Sequence, residues 1–197
     1  MMQAVLLAAV NSGNRKTWQI LLPTFRFGSN ISVLFFSSLF FGYSFGSSPV
    51  VGYHYGARNE EKLKNMFRKS LTIVLCAGGV MTLSGELFAS PLTAVFTGYD
   101  AALFEMTRDG FRIYALAFVL LGVCIWSSGF FTALGDGGVS AVISFLRTFL
   151  FQITAVLVLP ELLGIRGIWM AVLTADLMAV AVITVFLLKK RKIYRYF

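Results

Sequence analysis

From Ile31 onward, long apolar runs alternate with short polar ones. The runs cover 31–53, 71–95, 114–134, 139–159 and 167–188. A helix needs about 20 mostly apolar residues to cross roughly 30 Å of hydrocarbon, so each run predicts one crossing. Outer-membrane strands are excluded, because they take only about 9–11 residues and alternate strictly in polarity. The pattern therefore predicts an all-α integral membrane fold of about five transmembrane helices.

Composition agrees. Hydrophobic residues make up 57% of the 197-residue chain and charged residues 13%, with a mean hydropathy of +0.78. A soluble domain carries roughly 25% charged residues to wet its surface; here hydrocarbon has to serve as part of the solvent. The formal charge is +8, from 17 Lys and Arg against 9 Asp and Glu. These cations lie in patches between the apolar runs, which makes membrane lipids rather than nucleic acid the expected partner. Cys76 and Cys124 sit inside apolar runs at no metal-ligand spacing, so they read as packing residues. No phosphate-cradling Gly loop, metal-spaced His and Cys set or G-x-S-x-G occurs. With His54 as its one histidine, the chain is expected to be neither an enzyme nor a holder of metal or cofactor.

Charge orients the helices. Arg58, Lys62, Lys64, Arg68 and Lys69 follow the first run, and Lys189, Lys190, Arg191, Lys192 and Arg195 follow the last. Four crossings separate the two clusters, so they share a side. The positive-inside rule places that side, with the 56–69 loop and the C-terminus, in the cytoplasm of a cell-membrane protein. The 97–109 loop and Pro160–Arg166 then face out, and Gly135–Gly138 faces in. Residues 1–29 fit less well. Their apolar stretch is too short to span, and Arg15, Lys16 and Arg26 fall on the wrong side. The domain reading is thus an unmatched segment at 1–29, expected to be truncated or out of frame, followed by a helical unit at 30–197.

Three ionisable residues lie inside the runs: Glu86, Arg147 and Asp176. Each costs about 2.5–3.5 kcal/mol at a helix centre, so each is expected to face the bundle interior or a wet cavity. On a 100° wheel Ser140, Ser144, Arg147 and Thr154 share one arc, as do Thr82, Glu86, Ser90 and Thr93. Asp176 shares its face with Trp169, Val172, Ala179 and Ile183. Two readings stand. Arg147 and Asp176 pair as a structural tie, or Asp176 or Glu86 is a proton or cation site. In the fourth position of the third helix, Cys124, Ser128 and Thr132 recur, and Gly122 and Gly129 lie seven apart, a stripe that lets helices approach closely. Pro49 weakens the first helix locally, either as a packing kink or as the bend of a transport pathway. Tyr53, His54 and Tyr55 suit an interfacial aromatic belt, and Gly56 suits a helix C-terminus in the left-handed conformation.

The run FGYSFGSSPVVGYHYGARNEEKLKNMFRKS resembles the G-x-x-P-x-x-x-Y-x-Y-G-A-x-N signature of the multidrug and toxic-compound extrusion (MATE) family. Pro49, Tyr53, Tyr55, Gly56, Ala57 and Asn59 fall in register with it. SFLRTFLFQ and LPELLGIRGIWMAVLTADL are similar to that family's eleventh helix and to its last connection and twelfth helix. The resemblance covers roughly residues 40 to 197. It implies the second of two six-helix lobes around a cleft, in an exporter of small cationic or amphiphilic drugs driven by Na⁺ or H⁺ entry. It further implies a separate N-terminal lobe as partner and inactivity of this fragment alone. Of the three charges, Asp176 is in register with a commonly acidic position. A flippase for lipid-linked sugars, of the wider superfamily, and a non-transporting membrane remnant are the alternatives.

Overall fold

The computed structural model describes residues 37–97, 101–163, 165–194 and 196. Segment 1–29, with Arg15, Lys16 and Arg26, and the first residues of the predicted 31–53 crossing lie outside the described residues. Helix α1 covers 37–56. It is followed by α2 (Glu60–Thr97), α3 (Ala101–Ala115), α4 (Ala117–Ala133) and α5 (Gly137–Phe145). A π-helical turn, Leu146–Phe151, joins α5 to α6 (Gln152–Leu163), and α7 (Ile165–Tyr194) closes the order. Among the described residues four stretches are long and apolar enough to cross a bilayer: Glu60–Pro91, Arg108–Ala133, Gly137–Leu163 and Trp169–Arg191. Helix α1 falls on the remaining predicted crossing.

The helices overrun the apolar runs at both ends. Most of the predicted 56–69 loop is helix, since α2 begins at Glu60 and carries Lys62, Lys64, Arg68 and Lys69. The predicted 97–109 loop is helical from Ala101, Pro160 lies within α6 rather than in a turn, and α7 extends to Tyr194. The cause is physical. Charge marks where a chain leaves hydrocarbon, whereas Glu, Lys and Arg are good helix formers and carry the helix on into the interface. Pro49 does not break α1 either, because the helix runs through it to Gly56. The proline removes only the N–H that would have bonded the carbonyl four residues back.

Two turns reverse the chain at one end of the bundle, and they have the same construction. At the end of α1, Asn59 N–H bonds the His54 carbonyl and Arg58 N–H the Tyr55 carbonyl, with Arg58 at φ 53°. At the end of α4, Asp136 N–H bonds the Phe131 carbonyl and Gly135 N–H the Thr132 carbonyl, with Gly135 at φ 82°. Both are Schellman stops. In each, the next residue starts the following helix: Asn59 Oδ1 accepts from Lys62 N–H at 3.1 Å, and Asp136 Oδ1 accepts from Val139 N–H at 3.3 Å. Such caps satisfy N–H groups that the first helical turn leaves bare. The left-handed residue after α1 is therefore Arg58, not Gly56 as expected.

Helix α4 is the axis of the bundle. Of the most apolar window in its stretch, 61% is buried, against 22–28% in the other three crossings. It is uncharged all round, as a helix buried on every side must be. Helices α2, α5 and α7 pack on it, and α1 lies along it, with Phe40 over Gly122. A Cβ at Gly78 of α2 would stand 2.8 Å from the Val119 Cα, so glycine there is what lets the stretch leading into α4 come close.

Candidate functional site

The buried face of α7 is the predicted one: Trp169, Ala179 and Ile183 are buried, and Asp176 among them is 1% exposed. Asp176 meets Arg147, whose Nε donates to Oδ1 at 2.7 Å. Arg147 follows Gly137 by ten residues, a depth of about 15 Å and hence near mid-bilayer. The residue stands in the π-helical turn, where Gln152 N–H reaches back five residues to the Arg147 carbonyl. Such turns insert one residue into an α-helix and recur at functional sites. They also rotate everything downstream, so the 100° wheel does not hold across this one: Thr154 is exposed while Arg147 turns to Asp176. The second carboxylate oxygen, Oδ2, is buried with no hydrogen-bond partner among the described residues. Tyr114 and Cys124 lie close enough to feel both charges.

A seam of hydroxyls runs between α4 and α5. Ser128 shares hydrogen bonds with Ser140 at 2.8 Å and with Ser144 at 3.0 Å, and Thr132 donates to Ser140 at 2.8 Å. The Ser128 and Thr132 positions, predicted as a close-packing stripe, are thus a hydrogen-bonded contact with α5. Gly122 and Gly129, on another side of α4, receive Phe40 and Ser44 of α1.

Glu86 is placed otherwise than the paired helices first indicate. It lies 3.5 Å from Arg112 of α3, and both side chains are substantially exposed. Glu86 is five residues from Pro91, and Arg112 four from Arg108, where their crossings end. The pair therefore sits toward the end of the bundle remote from the two Schellman turns, away from the membrane centre. Arg147 and Asp176 are brought together; Glu86 is not part of their group.

At the opposite end lies a constellation that periodicity does not show. Asp136 Oδ2 accepts from Lys190 Nζ at 2.9 Å and from Tyr194 OH at 2.7 Å, while Oδ1 caps α5. The Lys190 and Tyr194 hydrogen bonds hold the Asp136 carboxyl below its usual range. Burial, then the Asp136 carboxylate, pushes the Tyr194 hydroxyl up to about 12. Beyond it the Tyr196 ring is fully buried and stacks on Phe67, and its hydroxyl donates to the Leu187 carbonyl. The tail of α7 thereby ties the α4–α5 turn to α2. The signals were present as Asp after Gly at a helix start and as tyrosines embedded in the basic run KKRKIYRYF.

The motif residues gather beside this tie. Tyr53 is 73% exposed and meets His54 edge to face. Tyr55 meets Tyr194 in the same way at 5.6 Å. His54, Tyr55 and Gly56 line a cavity of about 510 Å³. Among the described residues, no group of His, Cys, Asp and Glu could hold a metal ion.

Comparison with known proteins supplies what the geometry cannot name. The MatE family model matches residues 6–157, a match that reaches into the segment 1–29. No curated protein matches the sequence. Among solved structures, the chain is similar to the Vibrio cholerae MATE transporter VcmN in its bent form, with TM-score 0.79 and 22% identity over 94% of this chain and 40% of that one. It is also similar to a multidrug resistance MATE family transporter of the MOP superfamily. The outward-facing form gives TM-score 0.78 and 21% identity, over 94% of this chain and 41% of that one. The inward-facing form gives 0.75 and 19%, over 92% and 41%. The chain spans about two fifths of the length of these structures.

Proposed function

The chain belongs to the MATE family, and from that premise we propose that it forms one lobe of a cation-coupled exporter of small cationic or amphiphilic drugs. The observation that carries the reading is the lobe-sized match to transporters described as multidrug resistance proteins. The multi-pass membrane fold supports a transporter. Export itself needs a cleft between two lobes, so this lobe works with a complementary one and is inactive alone. The membrane is the cell membrane, with the Schellman turns and the C-terminus in the cytoplasm.

Within this lobe Asp176 is the carboxylate suited to the coupling ion, Na⁺ or H⁺. Oδ1 is neutralised by Arg147, and Oδ2 offers lone pairs that no described group uses. A cation or proton arriving there competes with the guanidinium for the same charge, and the π-helical turn supplies backbone slack for Arg147 to move. A lipid-linked sugar flippase calls for several unneutralised cations in the cavity, whereas Arg147 is already neutralised.

The test is ethidium efflux from a pump-deficient host under an imposed Na⁺ or H⁺ gradient. The chain is expressed alone and with the first lobe of a family relative. Export is expected only from the pair, and Asp176→Asn in the pair is expected to abolish it. Export by the chain alone overturns the need for a second lobe; gradient-driven export by the Asp176→Asn pair overturns the role of Asp176.

A further inference from the structure

The cavity of about 510 Å³ between α1, α2 and α7 is lined by His54, Tyr55, Arg58, Asn59, Glu60 and Tyr194, with Leu63 and Ile193. We propose that it holds the headgroup of an amine-bearing phospholipid, a phosphoethanolamine, at the membrane face where the two Schellman turns lie. This inference does not depend on transport.

Three observations converge. The first is depth. The cavity opens where spanning helices give way to charged turns, at the level that aromatic belts mark in membranes, and Tyr53, Tyr55 and Tyr194 supply that belt here. Its apolar residues, Leu63 and Ile193, suit the glycerol end of a lipid, and its polar ones suit the headgroup. The volume falls within the 300–1,000 Å³ typical of roughly drug-sized ligand sites.

The second is charge. Basic pockets between transmembrane helices commonly bind lipid phosphates, and Arg58 supplies a planar donor set for a phosphodiester. Glu60 stands two residues away in the same wall. An acidic group beside the arginine disfavours a headgroup with net negative charge but matches one that carries phosphate and ammonium together. An ethanolamine ammonium donates hydrogen bonds to a carboxylate. A choline, fully methylated, has no N–H to give.

The third is the way Arg58 is held. Its φ of 53° is a conformation that glycine adopts freely and that an L residue takes at a cost. The matching turn at the far end of α4 uses Gly135 in that place. A larger residue at the left-handed position sets a guanidinium in the cavity wall, where glycine would satisfy the turn but bind nothing. Neighbouring groups are already engaged: the Asn59 Oδ1 caps α2 and the Tyr194 hydroxyl is held by Asp136. That leaves the Arg58 and Glu60 charges to select the ligand.

The full chain, purified in detergent, is titrated with short-chain phosphatidylethanolamine, phosphatidylcholine and phosphatidylglycerol at moderate salt, and retention is read by native mass spectrometry. Phosphatidylethanolamine is expected to bind about tenfold more tightly than either other lipid, a difference of about 1.4 kcal/mol. Arg58→Gly, which suits the backbone of the turn, is expected to lose that binding while leaving the chain folded. Arg58→Lys should retain part of it. Glu60→Gln is expected to lose the preference over phosphatidylcholine. Undiminished phosphatidylethanolamine binding by folded Arg58→Gly, or unchanged preference in Glu60→Gln, overturns the proposal. Equal competition by soluble glycerophosphoethanolamine overturns the lipid as the source of the headgroup while upholding its chemistry.

Discussion

Arg147 and Asp176, 29 residues apart in sequence, meet through a 2.7 Å charge-assisted hydrogen bond between the π-helical turn and α7. Asp176 is 1% exposed, so no solvent or headgroup relieves its charge if the partner is taken away. Removing one member of a buried pair typically costs about 3–5 kcal/mol, because the other is stranded. Asp176→Asn is expected to lower the yield of folded protein in membranes, and Arg147→Gln in the same chain to restore part of it. Detergent-extracted yield and thermal unfolding read both effects. An unchanged yield in the single variant rejects the pair as a structural tie; failure of the rescue assigns Asp176 another partner.

Asp136 predicts a pH dependence whose sign follows from its partners. Hydrogen bonds from Lys190 and Tyr194 stabilise the charged form, so its folded pKa lies below the ordinary 3.8. The stability it contributes is present above 3.8 and is lost as pH falls through the lowered value. Asp136→Asn keeps an N-cap side chain but loses the charge. The melting temperature of the variant is therefore expected to lie below that of the parent at pH 7 and to converge with it in acid. A gap that stays constant down to pH 3 would sink this account.

The crossings were legible because hydrophobic run length is a direct consequence of bilayer thickness, and the buried face of α7 because its period is intact. The helix ends were not legible. Lys62, Lys64, Arg68 and Lys69 read as a loop although they continue α2, since polarity reports depth and not backbone conformation. Thr154 fell on the wrong arc because a π-helical turn leaves no mark in the residues Leu146–Phe151 that make it. The contacts of Asp136 with Lys190 and Tyr194, 54 and 58 residues away, come from tertiary packing of the tail, which no local pattern encodes.

Arg58 predicts a gain of stability from losing a side chain. An L residue in the left-handed conformation costs about 1–2 kcal/mol relative to its normal basin, and glycine escapes that cost. Arg58→Gly is expected to raise unfolding free energy by about 1 kcal/mol in lipid-free detergent, while Arg58→Ala, which keeps a Cβ, gives no such gain. Denaturant titration of the three proteins checks it. Equal stability of the glycine and alanine variants would show that the conformation carries no strain.

Gly78 tests how closely α2 approaches the stretch leading into α4. Because the obstructing atom is the Val119 Cα, 2.8 Å from a Cβ at Gly78, no rotamer change makes room and the backbones must separate. Overpacking of this kind costs about 1–3 kcal/mol. Gly78→Ala is expected to lower the melting temperature, whereas Gly79→Ala, one residue along and with open space around its Cβ, is expected to be neutral or mildly stabilising.

Topology gives the last prediction. Tyr55 and Tyr194 touch at 5.6 Å, and Lys190 and Tyr194 reach Asp136, so the ends of α1, α4 and α7 lie at one face of the bundle. The cations that flank this face, from Arg58 to Lys69 and from Lys189 to Arg191, are expected to hold it on the cytoplasmic side. Cys76 and Cys124 are first replaced by alanine, and single cysteines are placed at Glu61, at Gly138 and at Ile193. An impermeant maleimide added to intact cells should label none of them and should label all three after permeabilisation. A cysteine at Glu105, in α3, should behave oppositely. Labelling of residue 61 or 193 in intact cells inverts the orientation. Labelling that separates residue 138 from the other two breaks the shared face itself, and with it the arrangement in which Asp136 holds the tail of α7.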